Sequence, residues 1–156
     1  MNLRIGQGYD SHSLVESIPF YIGGILIESP FGAKGHSDGD CLLHAIIDSL
    51  LGALALGDIG IWFPDNDPTL KGIRSTELLK RVFESKKLPE FKICNFDLTI
   101  FLDKPKLSPV REPIIDSLSE LIRIDKSKIN LKAKTFEGFS SPKTIAASST
   151  CLIDLG

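Results

Sequence analysis

Between Phe96 and Arg123 the spacing of apolar residues changes period, and that change limits the architectures open to the chain. Phe96, Leu98, Ile100 and Leu102 alternate with Asp97, Thr99 and Asp103, the pattern of a half-buried strand. Val110, Ile114, Ile115, Leu118, Leu121 and Ile122 then recur with the period of an amphipathic helix running from about Pro109 to Arg123. Pro109 suits the first turn, which has no N–H partner to lose. A strand and a helix in succession bury both apolar faces when the helix is stacked on a sheet.

The rest of the chain continues the alternation. Residues 2–7 and 19–27 read as strands, the second interrupted at Gly23-Gly24 in the manner of a bulge. From Ser37 or Asp38, the candidate caps, to Leu56 the pattern is helical. Leu43, Ile46, Ile47, Leu50, Leu51 and Leu54 form its apolar face, and Gly57 is its stop. Residues 58–74 read as loop, Ser75 caps a helix to about Lys87, and strands near 129–136 and 144–154 finish the chain. The order ββααβαββ, with no repeat or linker, predicts a single α/β (α+β) domain over residues 1–156, a mixed β-sheet with helices packed on one face. The outer face is expected to carry Ala146, Ala147, Ser148, Ser149 and Cys151, small residues suited to packing against another subunit.

Composition narrows the function. A chain of 156 residues buries roughly 68–70% of its unfolded surface, enough for a core without disulfides or structural metal, so a metal here would be there for chemistry. Eighteen basic and twenty acidic residues give a net charge of −2 with no Lys/Arg cluster, which disfavours a nucleic-acid partner and favours a small ligand or a protein. The three cysteines, Cys41, Cys94 and Cys151, lack CxxC spacing and read as reduced, mostly buried thiols. No apolar run reaches the roughly 20 residues of a membrane helix; LLGALALGDIGIW comes closest and is broken by Asp58. The start, MNLRIGQGYD, lacks a basic segment followed by an apolar stretch, so a cytoplasmic protein is expected.

Four segments carry chemistry. Extended backbone puts Asp10 and His12 on one side, and His44 projects from the second turn of the helix, with Asp40 and Asp48 one turn either side. Together Asp10, His12 and His44 make an N/N/O set that leaves a tetrahedral Zn²⁺ one open position. The same residues also read as ordinary hydrogen-bonded loop and helix-edge groups. Asp58, in the turn-rich tract to Pro68, reads either as a cap or as an acceptor for substrate hydroxyls. Lys104-Pro105-Lys106-Leu107 and Lys132-Ala133-Lys134-Thr135-Phe136-Glu137 offer lysines, a hydroxyl and backbone N–H groups to phosphate oxygens, with Glu137 able to hold Mg²⁺. Two basic strand ends simply facing solvent are the alternative.

In combination these tracts resemble a known family. RIGxGxDxH at the start, HSDGDCLLHAIIDSLLGALALGDIGIWFPDNDP over residues 36–68, then DLTI, PK and KAxTxE, are similar to the 2-C-methyl-D-erythritol 2,4-cyclodiphosphate synthases of the non-mevalonate isoprenoid pathway. The likeness spans residue 4 to about residue 147. It implies a lyase, a homotrimer whose sheets face a three-fold axis, and active sites between subunits. The implied reaction converts 4-diphosphocytidyl-2-C-methyl-D-erythritol 2-phosphate to the cyclic diphosphate with release of CMP.

By position the resemblance makes Asp10, His12 and His44 the zinc ligands and Glu137 the ligand of Mg²⁺ or Mn²⁺. It assigns substrate binding to His36, Ser37, Asp58, Ile59, Gly60 and Asp65, cytidine binding to Lys104, Pro105, Lys106 and Leu107, and ribose and phosphate contacts to Ala133, Lys134 and Thr135. Asp58, Lys106 and Thr135 are the implied catalytic residues. The chain departs from the family where Lys134-Thr135-Phe136-Glu137 replaces TTxE, where Ser108 replaces a larger apolar residue, and in a Gly138–Thr144 loop that is shorter and lacks an arginine. That loop borders the implied trimer axis, so binding of isoprenoid diphosphates there does not follow from the resemblance. Two other readings stay open: a zinc-dependent phosphoesterase with Asp58 as base, and a non-catalytic trimeric protein that binds metal or nucleotide.

Overall fold

The structure is a computed structural model describing residues 1–139 and 143–156. Its elements are β1 (Leu3–Glu16), β2 (Phe20–Ile22), β3 (Ile25–Ile27), β4 (Phe31–Ala33), α1 (Cys41–Ala53), α2 (Ile59–Trp62), α3 (Ser75–Phe83), β5 (Lys92–Leu102), α4 (Arg111–Ile122), β6 (Ile129–Lys134) and β7 (Thr144–Asp154). Five strands form one sheet in the order β4-β1-β7-β5-β6, and β2 pairs with β3 in a separate hairpin. The β5–β6 pairing is parallel and the others are antiparallel, so the sheet is mixed, as expected.

Why α1 lies where it does is written in the first strand. An added Cβ at Gly6 would sit 1.8 Å from the Ser49 carbonyl oxygen, and one at Gly8 2.0 Å from that of Ala45. Bare backbone on the inner face of β1 therefore lets the helix rest directly on the strand. Leu42, Leu43, Ile46, Ile47, Leu50 and Leu51 of α1 are buried in the core. Ser49 bonds across to Ser149 of β7, Oγ to Oγ at 2.7 Å, so two buried hydroxyls satisfy each other.

Several boundaries differ from the sequence reading. β1 runs far beyond residue 7, through Asp10 and His12, because β7 pairs with it along Leu3–Ser13. The bulge at Gly23-Gly24 is a hairpin turn between β2 and β3, with φ of 61° and 86°, the left-handed pair that a two-residue turn of this kind needs. α1 begins at Cys41, not at 37 or 38, since Asp40 is the residue whose carboxylate accepts the Leu43 N–H at 3.1 Å. That carboxylate also accepts the N–H groups of Gly23 at 3.0 Å and Gly24 at 2.7 Å, which stitches the hairpin to the helix start. Ala55 takes the left-handed turn after α1, before Gly57 is reached.

The loop at 58–74 contains α2 and a 3-10 turn at Pro68–Leu70, each capped by an aspartate, Asp58 and Asp67. α3 stops at Phe83 rather than Lys87, where Glu84 closes it. α4 starts at Arg111 after a 3-10 turn containing Pro109 and ends with Arg123 at a φ of 60°. The small residues of β7 do not share a face. Ala147, Ser149 and Cys151 point inward and are buried, while Ser148 and Thr150 alternate to the other face with Ala146, because a strand cannot present consecutive residues to one side. Cys41 and Cys151 are buried and Cys94 is half-exposed, and all three are free. No helix among the described residues is long and apolar enough to cross a membrane.

Candidate active site

Asp10 and His12 lie on the inner face of β1, and His44 reaches them from α1 after the Leu43 N–H has closed its first turn onto Asp40. Asp10 Oδ2 is 2.9 Å from both His12 Nε2 and His44 Nδ1, and the two ring nitrogens are 3.4 Å apart. Ligands roughly 2.0–2.1 Å from a tetrahedral zinc are spaced about 3.3 Å from one another, so the three atoms fit one ion. Burial alone would resist ionisation of Asp10, but its hydrogen bonds with His12 and His44 and their charge outweigh burial and hold the carboxyl well below its usual range. Burial likewise opposes the charged form of His44, yet the Asp10 carboxylate raises its pKa. A divalent cation would take the place of the proton that this cluster otherwise needs.

The other ring nitrogen of His44 is also engaged. Nε2 is 2.9 Å from Ser75 Oγ and 3.0 Å from Ser37 Oγ. Ser75 is not a cap: it is the first residue of α3, fully buried, and its hydroxyl turns inward to His44 and to Asp38 Oδ1 at 2.5 Å. A serine ahead of an amphipathic stretch reads as a cap in sequence, and only its contact with a histidine far away in the chain shows the second use.

Around the triad is a cavity of about 230 Å³. His36, Ser37, Ile59, Gly60 and Asp65, the residues that the resemblance assigns to substrate binding, line it. Phe63, Leu70, Ile73 and Leu78 add an apolar wall that the sequence reading did not single out. Asp48 fixes the start of α2 by accepting the Ile59 N–H at 2.7 Å, and partial burial raises its pKa. Asp58 does not line the cavity; exposed, it accepts the Ile61 N–H at 2.9 Å as the cap of α2.

The lysine-rich segments lie at the far side of the sheet. Leu107 and Ala133 share a second cavity of about 140 Å³ with Ser108 and Arg111, whose Nε donates to the Leu131 carbonyl at 3.0 Å. Lys104, Lys106, Lys134 and Glu137 are exposed, and Lys104-Pro105 is a cis peptide. Thr135 hydrogen-bonds Glu137, and Asp103 accepts the Phe136 N–H at 2.9 Å, tying the ends of β5 and β6 together. Lys132 is diverted to an ion pair with Asp97. Asp10, Ala147, Ile100 and Ala133 occupy one transverse row of the sheet, so three strand spacings, roughly 14 Å, separate the triad from the β6 segment. Residues 140–142 of the short loop lie outside the described residues.

Comparison with known proteins bears on these features together. The YgbB family matches residues 3–154. The 2-C-methyl-D-erythritol 2,4-cyclodiphosphate synthase of Fusobacterium nucleatum subsp. nucleatum is 47% identical, over 97% of this chain and 95% of its own. The synthase of Thermus thermophilus is 45% identical, over 97% and 99%. A solved structure of a 2C-methyl-D-erythritol-2,4-cyclodiphosphate synthase in its CDP-bound form superposes with a TM-score of 0.87 at 45% identity, covering 97% of this chain and all of the other.

Proposed function

The chain belongs to the YgbB family, and on that premise we propose that it converts 4-diphosphocytidyl-2-C-methyl-D-erythritol 2-phosphate to 2-C-methyl-D-erythritol 2,4-cyclodiphosphate and CMP. An oxygen of the 2-phosphate bonds to the β-phosphorus while the bond from that phosphorus to the CMP oxygen breaks. The reacting groups already belong to one molecule, so the protein's task is to bend the substrate and neutralise its charge. The observation that carries this reading is the convergence of Asp10, His12 and His44 within 3.4 Å in the wall of a cavity that His36, Ser37 and Gly60 also line.

His36, Ser37, Ile59, Gly60 and Asp65 hold the methylerythritol phosphate end, with Asp58 at the rim receiving hydroxyl groups. Lys104, Pro105, Lys106 and Leu107 hold cytidine, and Ala133, Lys134 and Thr135 hold the ribose and phosphates, with Lys106 and Thr135 stabilising charge as it shifts. Zn²⁺ on Asp10, His12 and His44, and Mg²⁺ or Mn²⁺ on Glu137, would supply Lewis-acid neutralisation of the diphosphate oxygens. No protein nucleophile is required, and burial pushes the Cys41 and Cys151 thiols up, away from reactivity. The phosphoesterase reading needs Asp58 beside the triad as a base, whereas Asp58 caps α2 outside the cavity lining.

The two cavities share no lining residue. That separation, with the exposed Ile5 and Tyr9 on the sheet's other face, supports a homotrimer in which each site is assembled from neighbouring subunits. A substrate bearing this many phosphates stays in aqueous compartments, which suits a cytoplasmic enzyme. Phosphorus NMR of the protein incubated with the cytidyl substrate tests the reading. The cyclic diphosphate and CMP are expected, and release of inorganic phosphate instead would contradict it.

A further inference from the structure

The hydrogen bonds around His44 continue beyond the site. Arg74 donates from Nε to Asp38 Oδ2 at 2.7 Å, Asp38 Oδ1 is 2.5 Å from Ser75 Oγ, and Ser75 Oγ is 2.9 Å from His44 Nε2. Arg74 is itself held: its guanidinium lies 3.8 Å from the centroid of the Tyr21 ring and donates to the Gly24 carbonyl at 3.0 Å. The Asp38 N–H donates to the Ile73 carbonyl at 3.0 Å, fixing the 38 loop against the start of α3. Neither Arg74 nor Asp38 lines the triad's cavity.

Donor and acceptor roles along this chain are determined. The Asp38 carboxylate only accepts, so the Ser75 hydroxyl donates its proton to Asp38 and keeps its lone pairs for a donor. That donor is His44 Nε2–H. A neutral ring that carries its one proton on Nε2 has an unprotonated Nδ1, and Nδ1 is the nitrogen that faces Asp10 and His12. Ser37 offers Nε2 a second oxygen, but Ser37 lines the cavity, where a ligand competes for it. Ser75 is fully buried and does not line the cavity, and the Ser37 hydroxyl 3.4 Å away leaves it a lone pair for Nε2–H.

We propose that Arg74, Asp38 and Ser75 act as a positioning chain for His44, fixing its tautomer and ring so that bare Nδ1 is presented to the metal ion. This rests on the reading of Asp10, His12 and His44 as a zinc site. Metal-bound histidines are commonly oriented through their second nitrogen, and loss of such a partner lowers metal affinity about 10- to 100-fold.

The test measures zinc affinity of the full-length protein by competition with a chromophoric chelator. Ser75→Ala and Asp38→Ala are each expected to weaken zinc binding about 10- to 100-fold. The double variant should bind no worse than the weaker single one, because the chain is then broken only once. Asp38→Asn, which keeps an oxygen for the Ser75 proton, should lose less than Asp38→Ala. A long-range ¹H–¹⁵N spectrum of the unmutated zinc protein, which needs no variant to fold, should show His44 protonated on Nε2. Wild-type affinity in both single variants, additive losses in the double, or a proton on Nδ1 would each overturn the proposal. An unmutated protein that takes up no zinc would overturn the metal site as well.

Discussion

The two halves of the proposed site are built differently. Around Asp10, His12 and His44 the polar side-chain atoms are partly or wholly buried and partnered, down to Ser75 and Asp38 behind the ring. At Lys104, Lys106, Lys134 and Glu137 the charges stand exposed at strand ends, and the cavity lined by Leu107 and Ala133 of these segments is only about 140 Å³. A site for a small cation gains affinity when its ligand atoms are already held close together, because less ordering then opposes binding. Binding a nucleotide mainly needs charge within reach, and rigidity there can come from the nucleotide itself or from a neighbouring subunit. The first half is complete within one chain, and in the proposed trimer a neighbouring subunit completes the second.

His44→Ala attacks the finished half and has the largest expected effect. Zinc content should fall to background and turnover by roughly 10³-fold or more, given the several kcal/mol a bound cation supplies. Circular dichroism should show the fold intact, since His44 packs at the helix edge rather than in the core. Gly8→Ala attacks the packing that brings His44 to β1. Its Cβ would meet the Ala45 carbonyl at 2.0 Å, so urea denaturation should register a loss of about 1–3 kcal/mol or more. Gly52→Ala on the same helix is the control: its nearest contact would be 3.8 Å, and it should stabilise by about 0.5–1 kcal/mol.

A smaller effect follows from the charges of the triad. Without metal, the lowered pKa of Asp10 contributes stability above its ordinary value of 3.8 and loses it only in stronger acid. The raised pKa of His44 contributes stability that is complete below its ordinary value of 6.5 and is lost as pH rises through the folded-state value. The pair therefore supports the metal-free fold best between these two values and less above them. Thermal unfolding of zinc-stripped protein should show the decline toward alkaline pH, and Asp10→Asn should flatten it. An equal decline in Asp10→Asn would show that other groups cause it.

Much of this half was legible in the sequence because the relevant rules are local. Period two puts Asp10 and His12 on one side of a strand, and the helical period puts His44 on an edge. The parallel and antiparallel pairing, the role of Ser75 and the approach of α1 to Gly6 and Gly8 are long-range facts, absent from any short window. Gly23-Gly24 suits a bulge or a turn equally until its neighbours pair. By composition Ala146, Ala147, Ser148, Ser149 and Cys151 resemble one small-residue face, and the alternation of the strand divides them between two. The Asp58 carboxylate had two plausible uses, and the structure displays the cap. The exposed half was readable mainly through family resemblance, since lysines at strand ends look alike whether they bind phosphates or water.

The central claim, that one subunit's finished half is completed by another's exposed half, is tested most directly by mixing two inactive proteins. His44→Ala and Glu137→Ala chains are combined by co-expression or by unfolding and refolding together. Each mixed ring of three then contains one site with both His44 and Glu137 intact. Random equal mixing makes roughly three quarters of the trimers mixed, so activity should return to about one quarter of the unmutated level. Verified mixed trimers showing only the sum of the two backgrounds would contradict the account and place each active site within a single chain.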